Sequence, residues 1–283
     1  MISNPPNDKT VEIEVDIVTA NEGQNAVDLL ADASAISKVK IKRAMTAGAV
    51  WIRKGKKTTR LRRAKAPLQS GSSLLLYYDT KILEEVPKAP TLISDESIYS
   101  VWFKPAGLRS SGSKYGDHCA INRWIELHHQ PQRPCFMVHR LDRFATGLIV
   151  LAHTKQAAAD LSLQFKSRIV GKIYQVICAG LLEKDYSVHE KLDGKEAESI
   201  VKVLKTDKDL NQSLVEVEIK TGRKHQIRRH LAHIGFPVIG DRQHGDAQTG
   251  ELQLTSCHLS FLHPITQIRT NYVLEEALRP ALN

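Results

Sequence analysis

Apolar and polar positions along the chain fall into two periods, and the change from one to the other marks out the elements. Residues 11 to 18 read V-E-I-E-V-D-I-V, the period-two alternation of a half-buried strand. Helical spacing follows over about 25–33. Ser37 then suits the N-cap of a helix from Lys38 to Ala47, with Ile36 and Ile41 placed as a hydrophobic staple and Gly48 as the stop. The K-V-K-I-K at the start of that helix also fits a strand, so its period alone does not decide. Apolar runs at Ala49–Ile52 and Leu74–Tyr78 predict strands, the first followed by a basic turn from Arg53 to Lys57. Residues 1–10, polar and Pro-containing, are expected to be loose. Residues 84–95, with Pro87 and Pro90, are expected to form a linker.

Beyond the linker the pattern predicts a strand at Ile98–Phe103 and a turn at Lys104-Pro105-Ala106-Gly107. A flexible polar loop over 110–117 and a short helix at Ala120–His128 follow. Two β-branched runs, Cys135–Val138 and Leu148–Ala152, read as buried strands joined by a polar break that ends in Thr146-Gly147. Behind Thr154 as N-cap, residues 155–167 form an amphipathic helix with Ala158, Leu161 and Phe165 on one stripe. Gly171–Cys178 is a strand whose period puts Lys172, Tyr174, Val176 and Cys178 on one face. Residues 181–210 are charged and less regular, with strand character near 198–205. Leu214–Ile219 alternates as another strand. Ile227, Leu231 and Ile234 recur at helical spacing, closed by Gly235 and Pro237, and Leu252–Phe261 and Arg269–Leu274 are further strands. Such a mixture predicts the α+β class in two domains, one over 1–83 and one over 96–283.

Composition narrows the picture. The 283 residues allow a sizeable core, and 42% hydrophobic with 25% charged residues is ordinary for a globular chain. No apolar run approaches a membrane span, and the N-terminus lacks the order of a signal peptide, so no membrane partner and a cytoplasmic or organelle-matrix location are expected. Four scattered cysteines, Cys119, Cys135, Cys178 and Cys257, form no C-x-x-C pair and imply neither a disulfide framework nor a zinc ribbon. The net charge of +9 is concentrated: residues 33–78 carry twelve of the 40 Lys and Arg and no carboxylate, leaving 28 basic against 31 acidic residues elsewhere. A basic block of this kind points to a polyanion, nucleic acid first. Its cations are Lys38, Lys40, Lys42, Arg43, Arg53, Lys54, Lys56 and Lys57 among others, and they would meet phosphates without reading bases. A solvated basic face is the simpler alternative.

Candidate chemistry concentrates in Val138–Leu151, V-H-R-L-D-R-F-A-T-G-L-I-V-L. Asp142 sits between Arg140 and Arg143 on a loop held by two strands. Cations favour its ionised form, as a nucleophile or general base requires, although an Asp paired locally on a surface loop has the same pattern. Arg223–Gly240, R-K-H-Q-I-R-R-H-L-A-H-I-G-F-P-V-I-G, is the second block. There Arg228 lies about 100° from Ile227 around the helix, on the flank of the apolar stripe, from where it can reach along a cleft. His225, His230 and His233 spread over about 140° of that helix, unlike the i, i+4 histidines of a metal site, so no metal is expected. Taken singly, Tyr174 reads as a core aromatic, Arg228 as a solvated helix charge, and Lys172 as a phosphate contact or surface pair.

Taken together, the blocks H-R-L-D with its T-G, Lys172-x-Tyr174, H-Q-I-R-x-H-L-A-x-x-G-x-P-V-x-G-D, Lys104-Pro105-Ala106-Gly107 and Phe261-x-His263-Pro264 resemble the RluA-type pseudouridine synthases. The resemblance covers roughly residues 96–265. The order of elements over about 22–80 resembles an S4-like RNA-binding domain, more weakly, because Ile52-Arg53-Lys54-Gly55 stands where that family shows Val-Asn-Gly. The resemblance implies a pseudouridine synthase fold, with a mixed, mainly antiparallel sheet and flanking helices, preceded by a small S4-like α/β domain. It also implies a monomeric enzyme that isomerises specific uridines of rRNA or tRNA. Asp142 would be the catalytic aspartate, paired with Arg228 as a bidentate partner. Tyr174 would stack on the uracil, Ile227 would pack against the base, and Arg140 would hold the extruded nucleotide. His139 and Lys172 would complete the substrate-binding set. Ala145 and Thr146 depart from the family's usual Thr-Ser, which bears on the loop's shape. An isomerisation requires no redox cofactor or nucleotide, in keeping with a chain that has no P-loop and no G-x-G-x-x-G run. Whether Asp142 attacks sugar, attacks base or acts as a base stays open, and a non-catalytic RNA-binding protein is the alternative function.

Overall fold

The computed structural model describes residues 9–19, 24–245 and 250–282; most of the N-terminal segment expected to be loose lies outside them. The chain forms two compact units. The first contains residues 1–87 and 111–124. Its elements are β1 (Thr10–Asp16), α1 (Ala26–Ser34), α2 (Lys38–Ala47), β2 (Val50–Lys54), β3 (Lys57–Arg60), β4 (Ser72–Asp79) and α3 (Thr80–Glu84). The strands form one antiparallel sheet in the order β1-β4-β2-β3. Ser37 caps α2 as the pattern predicted, and Gly48 ends it in the left-handed conformation that a glycine adopts without cost. Leu30, Ile41, Met45, Val50, Leu74 and Leu76 make the core.

Residues 111–124 follow residues 88–110 of the second unit in sequence, yet they belong to the first. Three contacts explain why. Asp117 pairs with Arg60 and Arg62, its oxygen 3.1 Å from Arg60 Nε. The Trp51 indole donates to the Lys114 carbonyl at 2.9 Å, and Asp117 N–H donates to Ala47 O at 2.9 Å. The stretch expected as a flexible loop is thus pinned, and two arginines of the basic block are already spoken for.

The second unit holds a ten-stranded sheet. Its elements are β5 (Thr91–Asp95), β6 (Tyr99–Lys104), β7 (Phe136–Met137), β8 (Thr146–Ala152), α5 (Lys155–Lys166) and β9 (Gly171–Ala179). They continue with β10 (Tyr186–Val188), β11 (Ser199–Asp207), β12 (Gln212–Ile219), α6 (Gln226–His233), β13 (Leu254–Leu262) and β14 (Arg269–Val273). Helix α4 (Ile121–His128) contains the point where the two units divide. The strand order is β10-β11-β12-β9-β13-β8-β6-β5, with β14 on β13 and β7 on β8. Among the described residues every pairing is antiparallel except that of β13 with β8. The α+β expectation, with a mixed and mainly antiparallel sheet, holds. Residues 91–95, expected within a linker, instead pair as β5 along the edge of β6.

Strand β8 is buried along nearly its whole length, which is why its sequence runs apolar without alternation. Leu148 and Val150 pack with Leu259 and Phe261 of β13 and with Leu161 of α5. Burying a side chain such as Leu161 contributes about 1.5–3 kcal/mol. No helix among the described residues is long and apolar enough to cross a membrane.

Where β8 begins, Gly147 adopts φ +103°, and a Cβ there would lie 2.2 Å from Ser256 O of β13. Only glycine allows the two strands to run side by side at this point. Gly194 also has a positive φ, +72°, but faces open space. Gly147→Ala should therefore lower the melting temperature far more than Gly194→Ala, whose cost is backbone strain of about 1–3 kcal/mol alone. Equal losses in thermal melts of the two variants would contradict this account.

Candidate active site

Asp142 lies in the loop between β7 and β8, and both of its neighbours are tied down. The Ser110 hydroxyl donates to Leu141 O at 2.7 Å and accepts from Leu141 N–H at 3.0 Å. The carbonyl of Arg143 accepts from Gly107 N–H at 2.9 Å and from Lys104 Nζ at 3.1 Å, and Arg143 Nε donates to Gly107 O at 3.2 Å. Lys104 is wholly buried and also donates to Pro105 O and Leu108 O, at 3.1 and 2.9 Å. Those three carbonyls occupy all three N–H groups of the ammonium form. Burial pushes the Lys104 pKa down to about 7, with nearby Asp142 opposing and Arg143 adding to the fall. The turn at 104–107 thus acts as a clamp on the Asp142 loop.

Arg228 is presented by α6, and the H-Q-I-R-x-H spacing explains how. Gln226 and His230, one turn apart, face β11. Gln226 Nε2 donates to Glu198 O at 2.8 Å and to Ser199 Oγ at 3.1 Å, while Gln226 Oε1 accepts from the Thr221 hydroxyl at 2.7 Å. His230 Nε2 donates to Glu190 O at 3.1 Å, leaving Nδ1, 2.9 Å from Ser199 Oγ, to accept that hydroxyl's proton. Burial holds His230 below the usual histidine range, in keeping with this neutral form. Ile227 and Leu231 fill the adjoining core. Arg228, between the two faces, is turned toward Asp142.

The pairing differs from the expected one. Arg228 NH1 donates to Asp142 Oδ2 at 3.3 Å, a single contact. Its fork goes to Asp241, Nε donating to Oδ2 at 2.7 Å and NH2 to Oδ1. The fork needs a rigid carboxylate, and Asp241 is one: its side chain is fully buried, and it accepts from the N–H groups of Gln243 and His244. Burial alone would raise the Asp241 pKa, but Arg228 and those two N–H groups hold it below the usual carboxylate range. Burial likewise opposes the Arg228 charge, while Asp241 and then Asp142 hold its pKa above the usual value.

Asp142, Arg143, Phe144, Lys224, His225, Arg228, Gly240 and Leu252 line part of a cavity of about 690 Å³, within the range of small-ligand sites. His225 caps α6 in the left-handed conformation at φ 53°. Its Nε2 stands 3.9 Å from Asp142 Oδ1, and its Nδ1 shares a hydrogen bond of 3.0 Å with His244 Nε2. Burial lowers its pKa, with Asp142 opposing and Arg228 and His244 assisting. Among the described residues no group of three or more His, Cys, Asp or Glu side chains is placed to hold a metal ion.

The other expected site residues are distributed unevenly. Tyr174 is buried in β9, 7% exposed. Burial, and then the Asp142 charge, push its phenol pKa well above the usual range. Ile227 is buried, and Arg140 is exposed. His139 stacks on Phe165 at 4.4 Å and accepts from Val150 N–H at 3.0 Å, so it braces the loop from within. Lys172 is buried and donates to Thr221 O at 3.3 Å, its pKa pushed down to about 8 by burial and then by Arg168.

In the first unit, Lys38, Lys40, Lys42, Arg43, Lys54, Lys56 and Lys57 are exposed and Arg53 is half-buried. Lys38 pairs with Asp28 and Arg53 with Glu14. Lys54 reaches Gln69, and Arg43 donates to Leu83 O.

Sequence reasoning assigned no role to Lys104, Ser110, Phe144, His225 or Asp241. Asp241 stood inside the quoted G-D pair, and Phe144, 53% exposed at the cavity, stood two residues after Asp142.

A family model described as RNA pseudouridylate synthase matches residues 98–233. An uncharacterised RNA pseudouridine synthase of Synechocystis is 30% identical over 231 residues, 71% of this chain and 78% of the relative. A tRNA pseudouridine synthase C of Vibrio cholerae is 33% identical over 199 residues, 58% of this chain and 82% of the relative. In fold, the human RNA pseudouridylate synthase domain-containing proteins 1 and 4 are similar, with TM-scores of 0.57 and 0.53. Their identities are 20% and 24%; they cover 70% and 65% of this chain, and 89% and 88% of their own lengths are matched.

The bracing by His139 has a measurable pH signature. Burial, and secondarily Lys172, push its pKa from the usual 6.5 down to about 3. Between those values the unfolded chain holds the extra proton, so acid favours unfolding. The contribution is fully present above about pH 6.5 and is lost as pH falls toward 3. Melting temperatures of the wild type should fall more steeply on acidification across this window than those of His139→Gln. Parallel curves would remove His139 from the account.

Proposed function

Because the chain belongs to the RluA-type family of RNA pseudouridine synthases, and so is an isomerase acting on RNA, we propose that it converts uridine to pseudouridine in tRNA, with Asp142 as the catalytic carboxylate. The observation that carries this reading is the meeting of Asp142 with Arg228 in one cavity. The choice of tRNA rests on the relatives named tRNA pseudouridine synthase C.

The reaction breaks the bond between the ribose C1′ and N1 of uracil, turns the base, and forms a C1′–C5 bond. C5 gives up a proton and N1 gains one, so the atoms balance without a second substrate. A carboxylate that is to act as nucleophile or base must be ionised when the nucleoside arrives, and a poorly solvated one is so only when paired and hydrogen-bonded. Arg228 supplies that pairing. The uridine must leave its stack, at a cost of a few kcal/mol. Tyr174, close enough to Asp142 to feel its charge, would offset part of this by stacking, worth about 1–3 kcal/mol. Arg140 on the exposed side of the loop would hold the flipped nucleotide's phosphate, and Ile227 would bound the base. The first unit, read as an S4-like module, would bind the RNA backbone through α2 and the β2–β3 hairpin, adding affinity without base choice.

The test is Asp142→Asn on tRNA prepared without pseudouridine, read by chemical mapping. We expect no pseudouridine from the variant, with RNA affinity retained, and conversion at one or a few positions by the wild type. Conversion by the variant would end the assignment of Asp142. Binding by the wild type without conversion would leave a non-catalytic RNA-binding protein, or one whose substrate is another RNA such as rRNA, which mapping of cellular RNA with and without the gene separates.

A further inference from the structure

Arg228 serves two carboxylates unequally. Two of its nitrogens fork onto Asp241, and one alone reaches Asp142, at 3.3 Å to Oδ2. Asp241 is the fixed member. Its side chain is fully buried, Oδ1 accepts from Gln243 N–H at 2.9 Å and His244 N–H at 3.2 Å, and its own N–H donates to Val238 O. Gly240 just before it has φ +77°, and a Cβ there would lie 2.3 Å from Glu251 O, so the backbone that delivers Asp241 has one path. A fork held on such a carboxylate cannot swing.

Resting on the reading of Asp142 as the reacting carboxylate, we infer that Asp241 is a positioning residue, which fixes Arg228 so that only one N–H faces Asp142 and which takes up most of the guanidinium charge. Were Arg228 free, the favourable geometry for a guanidinium beside Asp142 would be the same two-point fork. That would engage both carboxylate oxygens at once and leave each only one lone pair for the substrate. With Asp241 in place, the Arg228 contact falls on Oδ2, and Oδ1 is left to react. Asp142 is then held at one oxygen by Arg228, while the other keeps both of its lone pairs. The charged and titratable groups whose fields reach Asp142 come from several elements: Lys104 of β6, Tyr174 of β9, His225 and Arg228 at α6, and His244 in the loop after it. Asp241 differs from these in acting through Arg228.

The experiment uses the full chain and an unmodified tRNA transcript under single-turnover conditions. It compares wild type, Asp241→Asn, Arg228→Gln, the double variant and Asp142→Asn. Asp241→Asn is expected to lower kcat about 100-fold, the scale of a misplacement of about 1 Å in an active site, with RNA affinity unchanged. Its acid limb in the kcat–pH profile should move to lower pH. Losing the Asp241 charge and releasing Arg228 toward Asp142 both favour the ionised Asp142 carboxylate. Because Asp241 acts through Arg228, the double variant should match Arg228→Gln alone. A wild-type kcat in Asp241→Asn, an acid limb that stays or rises, or a loss that repeats in the Arg228→Gln background would each overturn the inference. Should Asp241→Asn not fold, Asp241→Glu, which keeps the charge and displaces the fork, must lose kcat with an unmoved acid limb; a wild-type kcat there overturns the inference equally. Activity in Asp142→Asn would overturn the parent reading instead, so the two failures are distinct.

Discussion

One guanidinium between two carboxylates governs the arrangement of the second unit. A cation with a single carboxylate partner makes a neutral pair; with two, the cluster carries a net negative charge that must be placed somewhere. Here it is graded by depth. The side chain of Asp241 is fully buried, that of Arg228 9% exposed and that of Asp142 27% exposed. The innermost charge is compensated by the fork and two backbone N–H groups, and the outermost by water and a single N–H. Buried ions cost several kcal/mol each unless the geometry is good, and this order puts the good geometry where no water reaches.

Holding such a cluster needs parts of the chain that lie far apart in sequence to be rigid together. Arg228 comes from a helix whose Gln226 and His230 are hydrogen-bonded to β11 and the segments beside it. Asp142 comes from a loop whose neighbours are gripped by Ser110, Lys104 and Gly107. Below the loop, β8 is forced against β13 by the absence of a side chain at Gly147. The sheet therefore does more than carry the loop. Its register sets the distance between Asp142 and Arg228.

Much of this was legible in the sequence, and the limits have physical causes. Period and caps placed α2, α5, β9 and β12 within a residue or two, because each has one clear polar face or a strong N-cap. Strand β3, K-T-T-R, carries no apolar alternation because it is a largely exposed edge. Strand β5, also at an edge with Leu92 and Ile93 exposed, lay among residues that read as linker. Asp142 and Arg228 were identifiable from ordered blocks, but the fork was not. Which of two aspartates a guanidinium prefers depends on which is buried, and nothing local in Gly240-Asp241 encodes that. Lys104 read as a turn residue because lysine is rarely buried. Residues 111–117 read as loose because their composition is polar; their order comes from Arg60, Arg62 and Trp51, more than fifty positions away.

On the proposed reading of Asp142 as the reacting carboxylate, the graded exposure also bears on when that group would become strong. A carboxylate fully stripped of water in the free protein would either protonate or cost stability. Left part exposed at the cavity, Asp142 would keep some hydration until a nucleoside displaced it. At that moment the local dielectric would fall and its field on the bound nucleoside would rise. The Arg228 contact would not weaken on the same step, because its anchor on Asp241 is already buried. Substrate binding would thus activate the carboxylate by removing water from one side while a prepaid ion pair holds it from the other. A lysine in place of Arg228 could donate to both carboxylates but only as a point charge, without the two-point fork on Asp241 that fixes the direction of the remaining N–H.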